Sequence, residues 1–144
     1  CKPKIILANA IKHRHPDHGK ASALISDACF YSGLRKIETY WNDEKQEAYR
    51  PEVVYHYIQD NHLKADIVVD ISSSIEDKMN LILCFKSQFY DPSSSEPESP
   101  ISGKDFLENV RAHARTYGRL IGAEFGEGFT VERAIGVEDL SLLR

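Results

Sequence analysis

The spacing of apolar positions changes repeatedly along this chain, and each change predicts an element. Ile5-Ile6-Leu7-Ala8 forms the centre of a short apolar run that predicts a buried strand within residues 4–10. From Ala21 the spacing becomes helical, with Ala23, Leu24, Ala28 and Tyr31 on one stripe, Ile25 and Cys29 beside it, and Gly33 as a stop. This helix is expected to begin at or just after His18. Residues 36–51 mix charged and amide side chains with Trp41, Asn42, Asp43 and Pro51, which predicts an irregular excursion.

Val53-Val54-Tyr55-His56-Tyr57-Ile58 is β-branched and aromatic and predicts a strand, as does Asp66-Ile67-Val68-Val69-Asp70-Ile71. Ser72-Ser73-Ser74 then offers N-caps to a helix carrying Ile75, Met79, Ile82 and Leu83. Residues 91–103 are rich in proline and serine, and are expected to form a mobile surface loop. Helical spacing returns through Phe106, Val110, Ala114, Tyr117 and Ile121, with Gly122 as terminator, and residues 126–132 predict a turn feeding a short strand. Alternating strands and helices without an internal repeat predict an α/β layer architecture.

Composition narrows the class without naming a function. At 144 residues and 42% hydrophobic content the chain suits one domain with a real core. A formal net charge of -4 gives no basic patch for nucleic acid or an anionic membrane surface, so neither is expected as a partner. Cys1, Cys29 and Cys84 are odd in number and widely spaced, which supports neither a disulfide framework nor a Cys-based zinc site. Reduced thiols in a cytoplasmic protein fit best, with Cys29 and Cys84 expected as buried, inert thiols in apolar helical patterns. The apolar runs are too short to span a bilayer, and no basic-then-apolar leader opens the sequence.

Candidate chemistry concentrates in Arg14-His15-Pro16-Asp17-His18, in a strand-to-helix loop, where open α/β sheets bind their ligands. Two imidazoles three residues apart can supply one metal ligand and one outer-sphere acid or base. A catalytic zinc takes three protein ligands and keeps a position open for water, so this loop alone cannot complete the shell. The plainer alternative is a solvated turn in which Asp17 caps the following helix. His13 is a further ligand candidate, and Arg14 is either an anion clamp or a surface ion-pair partner. His56 and His62 are read as structural or solvated, His113 as part of a solvated basic helix face, and Glu127, between glycines, as a turn residue.

The sequence His15-Pro16-Asp17-His18 before a helix resembles the PIG-L or LmbE-like family of metal-dependent N-acetylglucosaminyl deacetylases. Residues 26–36, Tyr55-His56-Tyr57-Ile58, Val69-Asp70-Ile71-Ser72, Lys86-Ser87-Gln88-Phe89 and Gly126-Glu127-Gly128-Phe129 resemble, in order, the branch that deacetylates N-acetylglucosaminyl malate in bacillithiol biosynthesis. The resemblance implies a Rossmann-like three-layer α/β fold and a zinc or other divalent ion that activates water against an acetamide. It further implies His18 as a metal ligand, His15 as oxyanion stabiliser or proton donor, Asp17 as the residue that orients or tunes a histidine, and Arg14 beside a small N-acetylglucosamine conjugate.

The chain also departs from that family. The family carries an Ala-His-Pro-Asp-Asp motif after its first strand, the source of the other metal ligands and the general base, and these 144 residues contain no such motif. Residues 1–144 are therefore expected to be the C-terminal portion of a single deacetylase domain that lacks its opening strands and helices, inactive alone and with weak or absent zinc binding. Phe106 replaces a tyrosine found in some relatives, and His113 an arginine. Missing strands would leave an unpaired sheet edge and favour homo-oligomers. The alternative from another functional class is a non-catalytic sugar-binding module.

Overall fold

The computed structural model describes residues 1–143. Its elements are β1 (Ile5–Ala8), α1 (Pro16–Ser32), β2 (Tyr40–Trp41), β3 (Glu44–Lys45), β4 (Val53–Tyr57), β5 (Ile67–Asp70), α2 (Ile75–Leu83), α3 (Lys104–Leu120) and β6 (Gly126–Val131), followed by a 3-10 turn at Leu140–Leu142. This is the expected mixed α/β class, and it divides into two compact units, with β5 and β6 passing from one into the other.

The first unit comprises Cys1–Ile67 and Phe129–Leu143. Here β4 is central. It pairs in parallel with β1, Ile5 opposite Val53 and Ala8 opposite His56, and antiparallel with the end of β6, Tyr55 opposite Val131. A parallel pair needs a long crossover, and α1 with the β2–β3 hairpin supplies it. Alternation along β4 buries Val54 and His56 and leaves Val53, Tyr55 and Tyr57 half-covered. His56 thus takes an inward position where the pattern calls for an apolar residue.

Four expectations fail in this unit. β1 is not the buried strand that its apolar run predicts, since as an edge strand, paired only with β4 among the described residues, it leaves Ile5 and Leu7 exposed and buries Ala8. α1 begins at Pro16, ahead of the apolar spacing, because proline is suited to a first helical position and His15 caps it. Its covered face is not the predicted apolar stripe: Leu24 is 69% exposed and Tyr31 51%, whereas Ser22 is buried and His18, Ser26 and Cys29 are half-buried. The excursion over residues 36–51 contains a small hairpin whose turn residues Asn42 and Asp43 adopt positive φ, a conformation that short polar side chains tolerate.

The second unit comprises Val68–Gly128. Its centre is Ile75, Ala114 and Phe125, with Ile71 against them. A Cβ on Gly118 would stand 2.8 Å from the Phe125 backbone, so glycine permits that close packing of α3. Gly122, at φ +71°, follows the end of α3 in the left-handed conformation common after helices. Ser74 occupies the α2 cap position without a side-chain cap bond, while the Ser72 hydroxyl donates to Asp70 and accepts the Phe125 N–H. Residues 91–103 carry no helix or strand. None of the described helices is long and apolar enough to cross a membrane.

Several smaller assignments change. Gly126-Glu127-Gly128 lies in β6 rather than a turn, and half-buried Glu127 accepts a bond from Lys78 at 2.6 Å. His113 is not on a solvated basic face: it is half-buried, its ring centroid 4.9 Å from that of Tyr117, while Arg111 and Arg115 pair with Glu76 and Glu124. Cys84 is exposed and Cys29 only half-buried, so neither is the fully buried thiol that its apolar neighbours suggested.

Candidate active site

The parallel register of β1 and β4 carries the ends of both strands to one rim of the first unit. Beyond β1 the chain passes through Asn9 and fully buried Ala10 before it reaches the histidines. At the turn into α1, His15 is in extended conformation and its Nδ1 accepts the Asp17 N–H at 3.3 Å. The capping side chain is thus His15 and not Asp17. The His15 N–H in turn donates to His13 Nδ1 at 3.0 Å. Two imidazoles therefore do the local work that hydroxyls or carboxamides usually do at a helix start.

These bonds gather three rings. His13 stacks on His18 with centroids 4.0 Å apart, and His15 meets His18 edge-on at 6.1 Å. His18 sits in the first turn of α1, its Nδ1 3.5 Å from the Asn9 side-chain amide. Asp17 Oδ2 stands 3.7 Å from His15 Nδ1, both side chains being largely exposed. Burial, reinforced by the neighbouring His18 ring, lowers the pKa of His13 and favours its neutral form.

Arg14 points to Asp60, Nε to Oδ2 3.5 Å, and Asp60 lies just beyond β4 at a positive φ. Beside it, the buried Oε1 of Gln59 has no hydrogen-bond partner among the described residues. Arg14, His15, Asp17 and His18 are thus brought to one corner, with His13 added to them.

Beneath the corner lies a polar assembly that sequence reasoning missed. His56 is 2% exposed. Its Nε2 is 2.9 Å from Glu132 Oε1, and its Nδ1 is 2.8 Å from the Asn9 carbonyl oxygen and 2.9 Å from Ser22 Oγ. The Ser26 hydroxyl donates to the same Glu132 oxygen. Burial works to raise the Glu132 pKa, but the bonds from Ser26 and His56 outweigh it and hold the carboxyl below its ordinary value. Burial and then Glu132 push the Cys29 thiol up, which disfavours a nucleophilic thiolate there. The available signal was the helical spacing of His18, Ser22 and Ser26, matched to one histidine at an inward strand position.

As a metal centre the corner is a fragment. No group of three His, Cys, Asp or Glu side chains among the described residues is arranged to hold an ion. Stacking of His13 on His18 keeps their in-plane lone pairs from converging on a shared point. Imidazole suits zinc, but the donor set here falls short of the three ligands a catalytic zinc needs.

No protein-family model matches the chain. Solved structures do. The conserved protein TT1542 from Thermus thermophilus is similar at TM-score 0.77 and 26% identity, over 95% of this chain and 56% of that one. The N,N'-diacetylchitobiose deacetylase of Pyrococcus horikoshii is similar at 0.65 and 22%, over 90% and 46%. GalB, the 4-carboxy-2-hydroxymuconate hydratase of Pseudomonas putida, is similar at 0.63 and 17%, over 96% and 56%. The chain spans about half the length of these solved structures. The chain shares the mixed α/β fold of these solved structures.

Proposed function

We propose that this chain contributes the Arg14–His18 corner to a zinc-dependent deacetylase that hydrolyses the acetamide of an N-acetylglucosamine conjugate, N-acetylglucosaminyl malate in bacillithiol biosynthesis. The observation that carries this reading is the corner itself: an imidazole-capped helix start at the end of a parallel strand, on a fold shared with a deacetylase. Fold alone does not decide the reaction, since a hydratase shares it too. The residue chemistry favours hydrolysis of an amide.

His15 is suited to proton donation. Because its Nδ1 accepts the Asp17 N–H, the neutral ring carries its proton on Nε2. That N–H can donate a hydrogen bond to the oxygen of a tetrahedral intermediate, and passing a proton to the departing amine requires a ring protonated at both nitrogens, with Nδ1 releasing the Asp17 N–H. Asp17, whose Oδ2 lies 3.7 Å from Nδ1, favours that doubly protonated ring and returns to its place beside the neutral one once the proton has left. Arg14, oriented by Asp60, offers a planar fork to a substrate carboxylate or hydroxyl. His18 is the metal ligand this chain would bring, and in such hydrolases the metal lowers the pKa of water so that a nucleophile exists at neutral pH. One ligand does not by itself make that ion's site.

The test compares the 144 residues with a version extended by whatever in-frame sequence lies upstream in the gene. Metal content and release of acetate and free amine from N-acetylglucosaminyl malate are measured for each. The shorter chain alone is expected to release none. In the extended version His18→Ala is expected to abolish bound metal and turnover together. Retention of both would reject the corner as a metal site, and sugar binding without acetate release would favour a non-catalytic module.

A further inference from the structure

We infer that His56 and Glu132 form a positioning couple that sets the orientation of His18 from below, and that Asn9 carries its effect. The inference rests on the reading of His18 as a metal ligand.

Donors and acceptors at its two nitrogens fix the His56 ring. Glu132 is held in its ionised form by Ser26 and His56, so it can only accept, and His56 Nε2 must present an N–H to it. At the opposite end of the ring, Nδ1 lies 2.9 Å from the Ser22 hydroxyl, which can donate to it, and 2.8 Å from the Asn9 carbonyl oxygen. A ring with a partner fixed at each end cannot rotate or flip without breaking these contacts in a buried setting, where an unmade bond costs most.

The fixed ring in turn holds both elements that meet at the corner. Its Nδ1 touches Asn9 at the end of β1 and Ser22 one helical turn after His18 in α1. Glu132 extends the same contact another turn along, to Ser26. His18, Ser22 and Ser26 share one face of α1 by their four-residue spacing. From Asn9 the tie continues to His18, whose Nδ1 lies against the Asn9 side-chain amide. Which end of that amide faces the ring decides which nitrogen of His18 keeps its proton and which is free to ligate. Outer residues that orient a ligating histidine in this way tune metal affinity.

The arrangement also accounts for a side chain that packing alone would not select. A leucine at residue 56 would fill the inward position of β4, but it would leave the Asn9 carbonyl, Ser22 Oγ and Glu132 without this partner.

The experiment uses the full gene product and four variants: Glu132→Gln, Ser26→Ala, Ser26→Thr and, as a remote control, Glu124→Gln. Long-range nitrogen–proton spectra read the tautomer of each histidine ring, hydrogen exchange reads the amides of residues 9–18, and zinc titration reads affinity. Glu132→Gln is expected to shift the His18 ring signals, speed exchange at residues 9–18 and weaken zinc binding roughly 10- to 100-fold. Ser26→Ala should do the same to a smaller degree, and Ser26→Thr, which restores the hydroxyl, should reverse it. If Glu132→Gln does not fold, the Ser26 pair still decides the question. Unchanged His18 signals and corner exchange in folded Glu132→Gln or Ser26→Ala would overturn the inference and leave a merely structural pair. Failure of the deacetylase reading would appear separately, as absence of zinc binding and turnover in the unsubstituted protein, with the ring signals still reporting on the couple.

Discussion

The imidazole of His56 stands 2.9 Å from the carboxylate of Glu132, with the ring 2% exposed and the carboxylate at 41% reaching solvent. A couple that is dry at one end and wet at the other is costly to break from the dry side. His56→Ala should therefore destabilise the protein by about 2–4 kcal/mol, since it removes packed volume and takes this partner from Ser22 and Glu132. Glu132→Gln should cost less. Urea unfolding of the two variants under identical conditions checks both the magnitude and the order.

The same couple fixes the sign of an acid dependence. Burial works to raise the Glu132 pKa, but the bonds from Ser26 and His56 prevail and hold it, in the folded protein, below its ordinary 4.5. Its contribution is fully present above about pH 4.5 and is lost as pH falls through the folded-state value. Stability measured from about pH 6 downward should fall less steeply below about pH 4.5 in Glu132→Gln than in the unsubstituted protein. An identical slope would mean that the carboxylate gains nothing on folding.

His15 combines two roles that substitution can separate. Asparagine is a good N-cap and carries no titrating proton, so His15→Asn should keep the helix start within about 0.5 kcal/mol, whereas His15→Ala should lose about 1 kcal/mol. On the proposed function, both should lower kcat by about 10²- to 10⁴-fold in the extended protein. Thermal unfolding set beside acetate release reads the two effects independently, and wild-type kcat in His15→Asn would remove His15 from the chemistry.

In the second unit, Gly118→Ala would place a methyl group 2.8 Å from the Phe125 backbone, where neither α3 nor the following strand has a side chain to move aside. A loss of about 1–3 kcal/mol is expected, despite the gain in helix propensity. Gly136→Ala, in the first unit beyond β6 with nothing within 4 Å of the added carbon, is the control for a methyl group added to open space. Calorimetry of the pair would show whether close backbone approach, rather than glycine flexibility, explains Gly118.

Much of the element pattern was legible because strands and helices here follow their apolar spacing: Ile75 and Met79 on α2, and Ala114 and Tyr117 on α3, are buried where period predicts. α1 was misjudged for a definite reason. Its covered face is mixed, with buried Ser22 and half-buried His18 and Ser26 among Ala21, Ile25 and Cys29, and a search for apolar stripes selects Leu24 and Tyr31, which face outward. The histidine motif was visible in residue types alone, and its place at a strand end followed from the elements flanking it. The partners of His56 were not, because Asn9, Ser22 and Glu132 lie 34 to 76 residues away from it and no local rule joins them. Likewise, capping by His15 instead of Asp17 depends on a backbone turn that residue identity does not specify.

The serines on the covered face of α1 have a mechanical consequence. Leucine side chains grip a neighbour through dispersion, which changes gently as a helix rolls about its own axis. Hydrogen bonds at Ser22 and Ser26 do not permit such rolling, and a slip of one residue would turn the helix by about 100° and break both. The seam therefore acts as a rotational key, one that fixes where His18 points even though it adds little to the greasy core.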